Sequence, residues 1–465
     1  MTPITRLTNT TYDELSVGMS ASIEKRLTMD DIRLFAVMTG DVNPVSLDAR
    51  YAKSSRFHDI VAHGMWGGAL ISTVLGTELP GAGTVYVSQS FDFVRPARIG
   101  DALTATVTVL EKRGDAQVVF SCDVVNQAGD QVVSGQAVVS APTEKIESEV
   151  VELPDVFLNE RRHITHLLKR ASAYRPLRVA VVHPCDEVSL GGALSARTHG
   201  LIDPILVGPE TKIQAVAEAY DFDLTGVEIV SVEHSHAACI RAVEMCQAQQ
   251  VDSVMKGSLH TDELMGALLA KQAGLRTERR VSHVFVFDVP TYPRPLLITD
   301  AAINIAPDLL AKRDIVQNAI ELAHALEISE PRVAILSAVE TVTSTIPSTL
   351  DAAALCTMAH RGQITGGIVD GPLAFDNAVS ETAARIKGIT SPVAGRADIL
   401  VTPDLESGNM LAKQLEYLAH AEGSGIVLGL RLPVILTSRA DDEMSRLASC
   451  ALAVILHHHR LAEAR

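Results

Sequence analysis

The chain has 465 residues, too many for one comfortable hydrophobic core, so two or three domains are expected. Its 47% hydrophobic and 21% charged content is that of a globular protein. A formal charge of −16 excludes a generic nucleic-acid or anionic-membrane binder, because such partners need a cationic face. Any polyanionic ligand must be met by Arg, Lys and backbone amides gathered at one place. The six cysteines (Cys122, Cys185, Cys239, Cys246, Cys356 and Cys450) are scattered and form no C-x-x-C pair, so reduced buried thiols are expected. No charged segment followed by an apolar stretch opens the chain, and no apolar run reaches bilayer length. A cytoplasmic protein with no membrane partner is expected.

Residues 1–141 read as an α+β domain. Gly40-Asp-Val-Asn-Pro44 is a turn in which Asp41 and Asn43 bond nearby amides and Pro44 fixes the chain. His63-Gly64-Met65 opens a helix whose Gly67-Gly68-Ala69 lets something pack very closely. Leu103 to Leu110 and Gln131 to Ser140 then alternate with period two, as half-buried strands do. A central helix wrapped by an antiparallel sheet follows. Residues 142–177, rich in Glu, Arg and Pro, read as a linker ending in a helix from Asn159 to Ala173.

Residues 178–465 have an α/β rhythm. Short apolar runs, such as Arg178 to Val182, Pro204 to Val207, Val333 to Leu336, Asp398 to Val401 and Pro433 to Leu436, alternate with amphipathic helices. Such runs imply a buried, mostly parallel sheet with helices on both faces. Polar residues cluster after the strands: Lys256, Gly257, Ser258 and His260 after one, Asp300 and Asn304 after another, Asp370 and Asp376 around Gly371-Pro372. Taken singly, turn and cap chemistry explains each of them. The most informative stretch stops a strand at Thr437 and places Ser438-Arg439-Ala440-Asp441 before a helix from Glu443 to Leu456. Ligands of open α/β sheets collect at strand carboxyl ends, where the next helix offers free amides and its positive dipole end. Ser438 can donate a hydrogen bond there, and Arg439 can grip a phosphate or acyl oxygen with two. Asp441 and Asp442 suit helix capping. His457-His458-His459 lie on one helix and point in different directions, so no metal site is expected.

The order and wording of six segments carry a resemblance. They are Lys256-Gly-Ser-Leu-His-Thr261, Val281 to Phe287, Ile298 to Asp308, Val369 to Ala378, Pro403 to Lys413 and Leu436 to Asp441. Together they resemble the phosphate acetyl/butyryltransferase family over about residues 160–460, with the butyryl branch nearer. The resemblance implies a two-subdomain fold of isocitrate/isopropylmalate dehydrogenase type, with its site in the cleft. It also implies acyl-CoA, phosphate and acyl phosphate as partners in a ternary complex, coenzyme A as substrate, and no tightly bound cofactor. Arg439 would hold phosphate and polarise the carbonyl, and Ser438 would hydrogen-bond developing charge. Lys256, Gly257, His260, Asp300, Asn304, Asp370 and Asp376 would line the substrates. The acetyl branch's thiol-deprotonating Asp corresponds to Ser445, so Asp441 or Asp442 would substitute. An Arg of that branch, on the helix after the Lys256 motif, is also missing here.

Gly40 to Asp48, Val61 to Ser72, Leu79 to Tyr86, Phe93 to Pro96 and Ile99 to Asp101 resemble the MaoC-like (R)-specific enoyl-CoA hydratases of hot-dog fold, over roughly residues 10–141. That resemblance makes Asp41 one of two residues activating a water, with Ser72 in support and His63 and Gly64 at the substrate. The family's second residue, a His five positions after the Asp, is Ser46 here. A hydroxyl cannot exchange protons near neutral pH as imidazole does, so a scaffold with little hydration is expected. The competing readings are a truly bifunctional hydratase and acyltransferase, and a non-catalytic CoA-binding protein. Both families self-associate, which implies a homo-oligomer larger than a dimer.

Overall fold

A computed structural model describes residues 6–149, 153–154, 156, 158, 162–436 and 442–463. The chain divides into two compact units, Met1–Leu158 and Asn159–Arg465.

The first unit comprises β1 (Arg6–Thr8), β2 (Ser20–Arg26), α1 (Met29–Thr39), α2 (Pro44–Leu47), α3 (Ala49–Ser54), α4 (Gly64–Thr77), β3 (Val85–Phe93), β4 (Ala102–Lys112), β5 (Gln117–Val125), β6 (Gln131–Ser140) and β7 (Glu147–Glu149). Five antiparallel strands in the order β2-β4-β5-β6-β3 wrap α4, which is the hot-dog arrangement expected. Trp66, Leu70, Ile71, Val74 and Leu75 of α4 meet the inward residues of β4, β5 and β6 in one core. The paired glycines bring the helix down onto the sheet. A Cβ on Gly67 would lie 2.9 Å from Val133, and one on Gly68 would lie 2.8 Å from Phe91.

The segment 142–177, expected as a linker, is divided between the two units. β7 pairs antiparallel with β1, and Ile146 donates its amide to Asn9, so the stretch after β6 belongs to the first unit. Beyond it, α5 (Arg162–Ala171) buries Ile164, Leu167 and Ala171 in the core of the second unit. The apolar positions of α5 share one helix face and are buried together.

The second unit continues with β8 (Leu177–Val182), α6 (Glu187–Thr198), β9 (Ile202–Gly208), α7 (Glu210–Ala219), β10 (Glu228–Ser231), α8 (Ser235–Gln247), β11 (Ser253–Lys256), α9 (Thr261–Leu269), β12 (Ser282–Asp288), β13 (Leu296–Thr299) and α10 (Leu309–Ala325). It closes with β14 (Arg332–Leu336), α11 (Pro347–His360), β15 (Ile368–Leu373), α12 (Phe375–Val379), α13 (Glu381–Ile386), β16 (Ile399–Val401), α14 (Leu405–Leu418), β17 (Glu422–Leu428), β18 (Val434–Ile435) and α15 (Glu443–Glu463). Eleven strands form one sheet in the order β10-β9-β8-β11-β18-β17-β12-β13-β16-β14-β15. The outer groups are parallel, as the apolar runs implied, but β17 and β12 run antiparallel to their neighbours in the middle. Helices α5, α6, α10, α11 and α15 cover one face, and α8, α9 and α14 cover the other. Residues Leu447 to Leu456 of α15 are buried without interruption, the pattern of a helix enclosed on all sides.

In the first unit Gly135 pairs with Phe91, and a Cβ there would sit 2.0 Å from the Ser90 carbonyl. Gly135→Ala should therefore destabilise this unit by at least about 1–3 kcal/mol, the usual cost of overpacking. The protein's one tryptophan, Trp66, is buried on α4, so its fluorescence during urea unfolding reports the loss. An unchanged midpoint would contradict this strand register.

Candidate active sites

The first unit holds a cavity of about 590 Å³ whose polar lining includes Asp41, Asn43, Ser46 and His63. Turn chemistry builds it. Gly40 ends α1 in the left-handed region (φ 75°) and returns its amide to the Ala36 carbonyl. Asp41 Oδ1 then accepts the Asn43 amide at 3.2 Å, and Asn43 Oδ1 accepts the Val45 amide at 3.2 Å, capping α2 with Pro44 at its first position. This fixes the carboxylate with Oδ2 on the side of His63, 4.0 Å from Nε2.

His63 is 6% exposed, and its ring stacks on Phe35 with centroids 5.2 Å apart. Nε2 lies 3.0 Å from the Asp41 carbonyl oxygen, which can only accept, so Nε2 carries the proton. Nδ1 is buried with no hydrogen-bond partner among the described residues. Ser46, buried at 2%, lines the same cavity. Gly64 lines it too, although a Cβ there would meet Phe93 at an ordinary 3.5 Å. Ser72, expected to support catalysis, is exposed on α4 and is not among the lining residues. Its neighbour is Tyr86, whose hydroxyl burial pushes up to about 12, with Cys122 adding to the rise and the Ser72 hydrogen bond opposing it.

In the second unit β8, β11 and β18 are adjacent and parallel, so their carboxyl ends share one sheet edge. The turn after β11 is pressed against the turn after β8. Gly257 donates to the Val182 carbonyl at 3.0 Å, Ser258 donates to the His183 carbonyl at 2.8 Å, and His183 Nδ1 donates to the Ser258 carbonyl at 3.0 Å. A Cβ on Gly257 would fall 2.3 Å from the Val182 oxygen, so only glycine fits. Lys256 is buried, and its ammonium donates to the carbonyls of Gly257 and Leu259 at 3.2 Å each. His260 is exposed at the start of α9.

Ser438, Arg439 and Asp441, expected next along this edge, lie outside the described residues. The chain is described again from Asp442, whose Oδ1 accepts the Ser445 amide at 2.8 Å, so that carboxylate caps α15. One turn on, Arg446 is buried, lays its stem against Gly192 and donates to the Val188 carbonyl at 3.1 Å. The start of α15 is thereby tied to α6. His183 and Arg446 were not singled out from sequence. The first follows the apolar run Arg178 to Val182 and could have been read by the same strand-then-polar logic; the burial of the second is a tertiary fact.

The remaining candidate residues stand elsewhere. β13 is four strand steps from β11, roughly 19 Å at about 4.8 Å per step, so the strands that lead to Asp300 and to Lys256 are not neighbours. Asp300 is buried with its carboxylate turned into its own turn. It accepts the amides of Ala302, Ile303 and Asn304 and the Asn304 side chain at 2.9, 3.0, 3.2 and 2.6 Å. Burial raises its pKa, and these donors pull it back. Asn304 also accepts from Arg280 Nε at 2.8 Å. Both residues hold backbone at the end of β13. Asp370 accepts the Gly371 amide, and Asp376 pairs with Lys387 at 3.1 Å; Lys387 also meets Glu340, which Asn377 bonds. The three consecutive histidines take separate partners: His457 faces Asp252 at 3.7 Å, His458 stacks on Tyr174, and His459 faces Glu463 at 3.4 Å.

His283 on β12 is fully buried, and burial alone pushes it down to about 3 from an ordinary 6.5. It stays neutral in the folded protein, while the unfolded chain takes up a proton below 6.5. Its contribution is therefore fully present above pH 6.5 and is lost as pH falls toward 3, by up to about 1.4 kcal/mol per pH unit. Urea unfolding between pH 7 and 4 should show a shallower pH slope for His283→Gln than for the parent. Equal slopes would mean that His283 is protonated in the fold. Gly257→Ala should displace the turn after β11 and lower stability by about 1–3 kcal/mol or more in the same assay.

Comparison with known proteins matches residues 236–454 to the family described as Phosphate acetyl/butaryl transferase, and residues 14–128 to the MaoC like domain. A phosphate acetyltransferase from Rhizobium meliloti is 62% identical over 296 residues, covering 64% of this chain and 94% of that protein. A phosphate butyryltransferase from Clostridium acetobutylicum is 41% identical over 295 residues, covering 63% of this chain and 98% of that protein. Of these two, the relative named for acetyl is the more similar, against the expectation of a nearer butyryl branch. The crystal structure of a branched-chain phosphotransacylase from Enterococcus faecalis V583 aligns with a TM-score of 0.54 at 29% identity, over 61% of this chain and 99% of that one.

Proposed function

The chain belongs to the phosphate acetyl/butyryltransferase family, and from that premise we propose that it moves a short acyl group reversibly between coenzyme A and inorganic phosphate in a ternary complex. The observation that carries the reading is 62% identity spanning 94% of a phosphate acetyltransferase. The mixed sheet supports a two-subdomain architecture of isocitrate/isopropylmalate dehydrogenase type, its halves meeting at antiparallel β17 and β12.

No covalent enzyme intermediate is needed. Holding a CoA thiolate against an acyl phosphate, or phosphate against an acyl-CoA, makes a bimolecular step unimolecular and supplies much of the rate. The carboxyl ends of β8, β11 and β18 face the start of α15 and provide amides and fixed polar groups for two anions. Arg439 is assigned to phosphate and to polarising the carbonyl, and Ser438 to the developing negative charge. Asp442 is committed to its cap, so Asp441 is the carboxylate assigned to the thiol proton. The protein acts in the cytoplasm as a homo-oligomer in this reading. No described helix is long and apolar enough to cross a membrane.

The first unit carries a MaoC-like domain, and its cavity is assigned to an acyl-CoA thioester. Its apolar walls, including Val61, Leu103 and Val133, suit the acyl chain.

Purified protein should release CoA from acetyl-CoA and butyryl-CoA only when phosphate is present. Arg439→Ala should lower kcat by about 10²–10³, the usual cost of removing one preorganised donor to developing charge. A full rate in that variant would refute the assignment of Arg439.

A further inference from the structure

The residue at position 46 removes an imidazole from the first unit's site, yet the fold brings another to the same carboxylate. His63 Nε2 stands 4.0 Å from Asp41 Oδ2. That is too far for a direct hydrogen bond and close enough for one water to touch both. Oδ1 is already held by the Asn43 amide, so the carboxylate cannot rotate away without losing that bond. The imidazole is held as firmly, stacked on Phe35 with Nε2 bonded to the Asp41 carbonyl. Its second nitrogen, Nδ1, is buried with no hydrogen-bond partner among the described residues, so Nε2 is the nitrogen that faces the carboxylate.

We propose that Asp41 alone carries the proton in this cavity, and that His63 acts as a neutral N–H donor holding the attacked water against it, so that the domain still hydrates a 2-enoyl thioester. The inference rests on the first unit being an acyl-CoA site. Water enters between the two side chains, its oxygen sharing the Nε2 proton with the Asp41 carbonyl. Asp41 Oδ2 takes one proton as that oxygen bonds the β-carbon, and the π pair moves through the α-carbon onto the thioester carbonyl as an enolate. The protonated Asp41 then returns its proton to the α-carbon, where the enolate pair forms the new C–H bond. One water is consumed whole, nothing is oxidised or reduced, and Asp41 is restored. Both new bonds form on the face that Asp41 presents. The loss of the imidazole at position 46 is tolerated because no imidazole has to change its protonation state.

The test uses the full-length protein with crotonyl-CoA and no phosphate, followed by loss of enoyl absorbance. The parent should hydrate, with no loss of rate on the basic side up to pH 9. Asp41→Asn should lose at least 100-fold. His63→Ala should lose about 100-fold in kcat with KM nearly unchanged, while His63→Gln, which keeps an N–H donor, should stay within about tenfold of the parent. A parent without activity, a fall in rate on the basic side below pH 9, or a His63→Gln variant as slow as His63→Ala would each overturn the proposal. If the variants fail to fold, the parent pH profile decides alone. Calorimetry with CoA separates the two levels of inference. Two sites per chain without hydration refute this mechanism, whereas one site per chain refutes the acyl-CoA reading of the first unit beneath it.

Discussion

The direction of neighbouring strands governs the second unit. Because β8, β11 and β18 run parallel side by side, three connections leave the sheet at one edge, and each must turn there before its helix begins. The turns are so close that position 257 has no room for a side chain; amides of the loop after β11 satisfy carbonyls of the loop after β8, and the His183 imidazole returns a bond to the Ser258 carbonyl. Backbone polar groups at such an edge need partners, and they find them in one another. The turns after β8 and β11 are tied to each other by these bonds. Restraint of this kind is what a reaction between two bound anions needs, since its rate comes from holding reactants in place.

The same edge resolves the tension posed by a net charge of −16 in a protein that handles phosphate and CoA. Attraction is local rather than global. Lys256 donates to two carbonyls of its own loop, and Arg446 binds a carbonyl of the α6 segment, so two buried cations help to hold the walls. The thiols nearby are not activated: burial pushes Cys185 up to about 11, with Asp186 adding to the rise and Lys212 opposing it. A thiol raised that far is almost wholly protonated at neutral pH, which agrees with direct transfer rather than an acyl-cysteine.

The first unit depends on a different constraint, the fixed spacing of a carboxylate and an imidazole. Local turn bonds orient Asp41, while His63 is brought to it by the closeness of α4 to the sheet. The two residues are 22 positions apart in the chain. Their pairing is a consequence of how a glycine-rich helix seats against Phe91 and Val133.

Sequence alone established the two-part organisation, the parallel runs, the antiparallel domain around a helix, and the families of both parts. These are legible because periodicity and turn chemistry act over a few residues, and because six ordered segments leave little room for coincidence. It did not give the antiparallel strands β12 and β17 at the middle of the sheet, since strand direction is set by partners far along the chain. Nor could it show that Asp300 and Asn304 bond each other and their own turn, that Ser72 meets Tyr86, or that residues 142–149 pair back to the N-terminus. The resemblance leads to the expectation of an imidazole at position 46, where the chain has Ser46, but the nearness of His63 to Asp41 depends on distances across the fold, and only packing fixes those.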